Sequence, residues 1–327
     1  MKIKRQAVLI PYYDDKSRLN HSLIKIFRES PMAYKRELDN PRELNMSFLK
    51  EGTMIHKYIL EHADFFSEYY LQYAESPNKS PNQRKLAERL IQENFSGEVD
   101  LLTTIYKECY NTSKLSPKEV EVKAIEAANE IAEYVKENML HSSSMLPVDQ
   151  KTLETLKRYT QSIHDHTAAR DLLDEDFSHP WFSEFHINWV HPSGAECKSL
   201  IDRIKFIPET KTVWVIDLKS TSDVANFRDS ADKYGHITQI AFYRMAVVWY
   251  IEHILKENPL DWTINTAIIA IEKQTADVKV FSIDEYELDD ATLRLNGWIE
   301  DIQWHKQNNI WNMDREAFDN NGINLLK

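Results

Sequence analysis

The order of elements along the chain predicts an α/β (α+β) protein with a helical N-terminal portion, and three observations carry that prediction. Residues 118–139 place Val122, Ile125, Ala128, Ala132, Val135 and Met139 at three- and four-residue spacings, one face of a helix. From about Glu184 the character changes. The runs EFHINWV (184–190), CKSLIDRIKFI (197–207) and TVWVIDL (212–218) are rich in Val, Ile, Phe and Trp, and turn residues separate them. A strong helical stretch at about 232–255 then precedes two further strands, TINTAIIAI (263–271) and DVKVFSI (277–283).

Taken in order, shorter helical patterns occupy about 20–29, 48–62, 84–95 and 150–174. The polar, Pro-containing SPNKSPN (76–82) reads as a loop. After the strands a last helix runs from about 289 to 307. Residues 1–175 form a mainly helical portion and 176–327 the strand-bearing core, expected to fold together as one integrated domain.

Composition narrows the function. A chain of 327 residues can bury an ample core, and its apolar and charged fractions are ordinary. No stretch approaches the roughly 20 apolar residues that span a bilayer, so no membrane partner is expected. The start, MKIKRQAVLIPYYDD, is basic, but its apolar run is too short for a signal peptide and no small-residue cleavage site follows. The expected location is therefore cytoplasmic. Two cysteines, Cys109 and Cys197, cannot build a disulfide framework, a four-Cys zinc site or an iron–sulfur cluster. Six glycines and the absence of GxxxxGK[ST] and GxGxxG exclude the Gly-rich phosphate loops. The net charge of −12 argues against a protein that coats nucleic acid with a basic face. It leaves room for basic residues gathered in one channel, or for acidic residues that hold metal ions.

Hairpin arithmetic locates a cluster. Residues opposed across an antiparallel turn have a constant sum of positions. The turn HPSG, centred near 193, pairs Glu184 with Asp202, and PETKT, centred near 210, pairs Asp202 with Asp217 or its neighbour. Three carboxylates thus fall at one level across three strands. Alternation sets Asp202 beside Leu200, Ile204 and Phe206 on a core-facing side, and Val213, Val215, Asp217 and Lys219 on one face. Like charges roughly 5 Å apart destabilise a sheet. They need protons, Lys219 or a bound cation, and a divalent ion with oxygen ligands, Mg²⁺ or Mn²⁺, fits best. The plain alternative is a set of strand-end charges on the wet side of the sheet; the depletion of Asp in strands weighs against it.

Two further signals are weaker alone. In KYGHITQIAFYRMAVVWY, Gln239 and Tyr243 share one face of an otherwise apolar helix, so a polar pair there needs partners. In EGTMIHKYILEH (51–62), His56 sits on a helix among Met54, Ile55 and Ile59, a setting that by itself more often holds a packed histidine than a ligand.

Together these residues resemble the PD-(D/E)xK nuclease superfamily, in its RecB-like branch, and most closely the RecE (exonuclease VIII) type of phage recombination exonuclease. The resemblance runs from GTxxH at 52–56 through Glu184 and Asp202 to DLKST at 217–221 and QxxxY at Gln239 and Tyr243. SLIKIFRESPMAYKREL (22–38) is similar to the opening of RecE-type proteins. Ile201 stands where Pro is common, which leaves the chemistry intact. The two cysteines point away from the relatives that carry a four-Cys iron–sulfur cluster.

The resemblance implies a restriction-endonuclease-like core with a mixed central sheet flanked by helices. It implies Asp202 and Asp217 as principal ligands of Mg²⁺ (with Mn²⁺ able to substitute), helped by the Leu218 carbonyl. His56 falls at a second metal position and Glu184 binds directly or through water. Lys219 orients the attacking water. Gln239, Tyr243, Ser220, Thr221 and Arg28 face DNA. The implied activity is exonucleolytic digestion of linear double-stranded DNA from 5′ ends, leaving 3′ single strands for recombination. A homo-oligomeric ring and a single-strand annealing protein are the implied partners, in a bacterial or phage-infected cell. A same-fold endonuclease or single-strand nuclease, and a non-catalytic DNA-binding protein with a degenerate site, stay open.

Overall fold

Five strands form one mixed sheet in chain order: Trp181–Val190, Glu196–Ile207, Thr212–Thr221, Thr263–Glu272 and Val278–Ser282. The first three make the expected antiparallel meander, the fourth lies parallel to the third, and the fifth returns antiparallel. A parallel neighbour requires a crossover, and helices Phe227–Tyr234 and His236–Tyr250 supply it. The computed structural model describes residues 3–41, 47–77, 80–141, 145–174 and 178–324, with side chains described from Glu51 in the helix Ser47–Leu60. The expected 175/176 division lies outside these residues, as does part of the 76–82 loop.

The chain instead divides into two compact units, one of residues 1–61 with 158–327 and one of residues 62–157. The sheet and the first three helices, His21–Glu29, Pro31–Asp39 and Ser47–Leu60, belong to the first unit. The crossover helix His236–Tyr250 is apolar nearly all round because it is covered twice, by the sheet and by the helix Glu285–Asn308. Phe185, Phe206 and Tyr250 meet edge-on or tilted at ring separations of 5.4–6.2 Å, and Leu295, Ile299 and Ile302 of the long helix complete this core.

Three expectations change in detail. The 232–255 helix begins earlier and breaks at Gly235, whose φ of 70° ends one helix in the left-handed conformation and opens the next. The 118–139 helix, in the second unit, is two helices, Pro117–Glu130 and Ala132–Leu140, interrupted at Ile131. That break re-phases the apolar stripe: Val120, Ala124, Ile131 and Val135 are buried, whereas Val122 and Ile125 face solvent. The capping box at Ser116 and Glu119 sets the start of the first of these helices.

The third concerns the period of two in the meander. Leu200 does not join the core beside Ile204 and Phe206; Ile201 does, fully buried. The alternation slips at the level of Glu184, which has φ 46° and falls between the paired residues Ser183↔Arg203 and Phe185↔Ile201. Phe182 and Phe185 consequently bring their rings to 5.1 Å, which strict alternation forbids at that spacing. Among the described residues no helix is long and apolar enough to cross a membrane.

Candidate active site

The end of the third strand supplies the centre of the site. Asp217 has no exposed surface, and Lys219, two residues on, turns its ammonium back to 2.6 Å from Asp217 Oδ2. That ammonium engages Oδ2, and the other carboxylate oxygen, Oδ1, has no hydrogen-bond partner among the described residues. Asp202 stands opposite, as the arithmetic requires: the ladder pairs Arg203 with Ile216, and Asp202 and Asp217 follow where it stops. There the Leu218 N–H, released from the ladder, donates to Asp202 Oδ2 at 2.8 Å.

The helix Ser47–Leu60 brings His56. Ser183 of the first strand donates its hydroxyl to the Leu60 carbonyl at 2.6 Å, which satisfies an end-of-helix acceptor and ties the helix to the sheet. His56 Nδ1 then lies 3.6 Å from Asp202 Oδ2, and the Leu218 carbonyl lies against the same ring. His56, Glu184 and Asp202 each offer one ligand atom, all within 4.8 Å of one another. Asp217 stands beside that trio, turned to Lys219, rather than within it.

Electrostatics explain what such a cluster needs. Burial raises the carboxyl of Asp217 to about 6 against the pull of Lys219, and raises Asp202 against Lys219 and the Leu218 N–H. Glu184 is pushed up to about 8, by burial first and then by the charges of Asp202 and Glu61; Lys57 and Arg5 oppose this. Burial and the nearby Lys219 lower His56 to about 4, so its imidazole is neutral and free to ligate. Desolvation would lower Lys219, but Asp217 and Asp202 outweigh it and hold the ammonium charged. Three carboxylates, a neutral imidazole and the buried, unpartnered Oδ1 of Asp217 fit a hard divalent cation such as Mg²⁺ or Mn²⁺.

Gln239 and Tyr243 come from the buried helix. Gln239 donates from Nε2 to Tyr243 Oη at 2.8 Å. Burial, then the charges of Asp217 and Asp202, raise the Tyr243 phenol far above its ordinary range, so it is a neutral donor beside the carboxylates. Ser220 is half-buried at the strand end. Thr221 spends its hydroxyl on the turn, exchanging 3.2 Å contacts with the backbone of Asp223. Arg28 stacks on Trp298 at 4.3 Å and lines a cavity of about 230 Å³ with Gly235, Thr238 and Arg294.

Several participants escape a sequence reading. Arg5 donates to the carbonyls of Ser183 and Glu184 at 2.5 and 2.8 Å, steadying the kinked backbone. Lys25, His21 and His236 lie near enough to Lys219 to feel its charge. Of these only Lys25 left a trace, as the neighbour of Arg28 one turn away on the same helix face.

Comparison with known proteins agrees with this geometry. Residues 127–319 match a family described as a PDDEXK-like domain of unknown function (DUF3799). The crystal structure of a candidate exonuclease from Eubacterium rectale superposes with a TM-score of 0.51 at 12% identity, covering 99% of this chain and 96% of that one. At that identity the likeness concerns the fold. No curated protein matches the sequence.

Proposed function

The chain belongs to the PDDEXK-like family, within the PD-(D/E)xK nuclease superfamily, and on that premise we propose that it is a Mg²⁺-dependent exonuclease of linear double-stranded DNA. One observation carries the reading: His56, Glu184 and Asp202 converge within 4.8 Å while the Asp217–Lys219 pair stands beside them. Asp202, Glu184 and His56 would hold the cation, with Asp217 and the Leu218 carbonyl at its border. Bound there, a divalent ion lowers the pKa of a water and offsets the charge of the scissile phosphate.

The chain's own groups do the rest. Lys219 offers its ammonium to the attacking water and to charge developing on the phosphate. Tyr243, kept neutral by its setting and held by Gln239, donates a hydrogen bond toward the carboxylates or the phosphate. Arg5 and Lys57 moderate the charge of Glu184. Ser220 is the freer hydroxyl for a DNA phosphate, since Thr221 closes its own turn. We assign Arg28 and Lys25, one turn apart on the helix His21–Glu29, to the DNA backbone. We assign digestion from 5′ ends, a ring of subunits and supply of 3′ strands to an annealing protein on the resemblance to RecE-type exonucleases.

The test uses linear duplexes labelled at the 5′ or the 3′ end, with Mg²⁺ and an EDTA control. The 5′ label is expected first, covalently closed circles stay intact, and EDTA stops release. Asp202→Asn and Lys219→Ala should each lower the rate by about 10²–10³-fold, the scale for removing one preorganised charge-stabilising group. Early release of the 3′ label would reverse the polarity. Digestion untouched by Lys219→Ala would remove the site assignment.

A further inference from the structure

Glu184 reaches the cation cluster in an unfavourable backbone conformation, and one side chain from the start of the chain meets both consequences of it. At φ 46° a residue with a Cβ lies in the left-handed region. The kink leaves Glu184 out of the ladder, between Ser183↔Arg203 and Phe185↔Ile201, and turns the carbonyls of Ser183 and Glu184 to a donor outside the sheet. It also brings the rings of Phe182 and Phe185 to 5.1 Å. Arg5 answers both. Its Nη1 and Nη2 donate to the carbonyls of Glu184 and Ser183 at 2.8 and 2.5 Å. Its guanidinium carbon lies 5.5 and 5.9 Å from the ring centroids of Phe182 and Phe185. A planar fork of donors with weakly hydrated faces suits two successive carbonyls and two rings at once; an ammonium on a flexible stem does not. The neighbours of Arg5 seat it. The Tyr250 hydroxyl donates to the Lys4 carbonyl, and Gln6 exchanges two hydrogen bonds with the backbone of Asn188, at 2.7 and 3.0 Å. Three successive residues thus fix the fork against the strand that carries Glu184.

We propose that Arg5 is a positioning residue of the cation site: by holding the carbonyls of Ser183 and Glu184 it keeps residue 184 in the turn that sets its carboxylate beside His56 and Asp202. This rests on the cation-site reading above and adds to it a residue 179 positions from the ligand it orients. Without the fork, the strain at residue 184 is relieved by a return to extended backbone, which turns the carboxylate away from the other two ligands. Arg5 touches neither cation nor substrate, and it acts only through Glu184.

The test reads Mn²⁺ affinity of the full-length protein by electron paramagnetic resonance, without DNA. Arg5→Ala should weaken it about 10–100-fold, the range for losing a group that orients a metal ligand. Arg5→Lys should weaken it by much the same, although the charge that draws Glu184 toward ionisation is kept. Methylguanidinium should restore most of the affinity of the Arg5→Ala variant, entering from the side on which Arg5 is exposed, and methylammonium should not. In a Glu184→Ala background, Arg5→Ala should cost no more than about twofold, because the ligand it orients is already missing. Wild-type affinity in Arg5→Lys would reduce Arg5 to its charge and overturn the proposal. So would equal losses in the two backgrounds, the mark of an effect on the whole fold, or an Arg5→Ala variant that methylguanidinium leaves unchanged. A wild type that binds Mn²⁺ but cuts no DNA ends the nuclease reading, and the same comparisons still decide the role of Arg5. A wild type that binds no Mn²⁺ overturns the cation site and this proposal together.

Discussion

On the proposed reading, Glu184 at the cation and Asp217 at its border are the carboxylates whose protons compete with metal binding. Both have folded-state values raised by burial, to about 8 and about 6. A raised carboxylate binds its proton more tightly folded than unfolded, so its contribution to stability is present at low pH and is lost as pH rises through the folded value. The metal-free protein should therefore lose stability from about pH 4, where these groups ionise in the unfolded chain, up to about pH 8, where the last of them ionises in the folded one. A divalent ion binds the deprotonated groups, so its affinity climbs over the same window and levels off above it. Thermal melting with Mn²⁺ or EDTA across that range checks both: the Mn²⁺-induced rise should be larger at the alkaline end. A larger rise at the acid end would mean that these carboxylates are not the ligands.

At the scale of the element, the first strand trades regularity for the site. A non-glycine residue in the left-handed region costs about 1–2 kcal/mol, and Glu184 occupies it in mid-strand at φ 46°. The slip releases the carbonyls of Ser183 and Glu184 to Arg5 and re-aims the carboxylate beside Asp202. Replacing Glu184 by Gly removes the strain and by Ala keeps it. The Gly variant should accordingly be more stable than the Ala variant by about 1 kcal/mol in urea titration, while both lose hydrolysis by roughly 10²-fold or more. Equal stabilities would mean that the backbone there is not strained. The third strand is the counterpart, regular through Lys219, with Asp217 and Lys219 on one face because two residues separate them.

For the whole molecule, every group of the candidate site lies in the unit of residues 1–61 and 158–327, although His56 comes from an N-terminal helix and Asp202 from a sheet 146 positions further along the chain. The unit of residues 62–157 has its own core of Leu86, Leu90, Ile105 and Val120. Separate cores favour separate unfolding. Calorimetry should show two transitions, and Mn²⁺ should raise only the one belonging to the unit that holds His56, Glu184 and Asp202. A single transition shifted as a whole would mean that the two units unfold together.

Much of this was legible beforehand, for physical reasons that differ by residue. The meander's register follows from turn positions alone, so Glu184, Asp202 and Asp217 were placed at one level correctly. Asp217 and Lys219 share a face because a strand repeats every two residues. Periodicity also located the crossover helix that carries Gln239 and Tyr243. It failed where a single residue re-phases an element, at Ile131, Gly235 and Glu184, since a left-handed or irregular φ leaves no mark in a hydrophobic pattern. What the sequence by itself determined was which side chains share a strand or helix face, because those relations are local and set by the backbone repeat. Only the tertiary structure decided that His56 reaches Asp202, that Asp217 is turned to Lys219, and that Arg5 holds the carbonyl of Glu184. Those are encounters between segments far apart in the chain, fixed by packing and by hydrogen bonds that no spacing encodes.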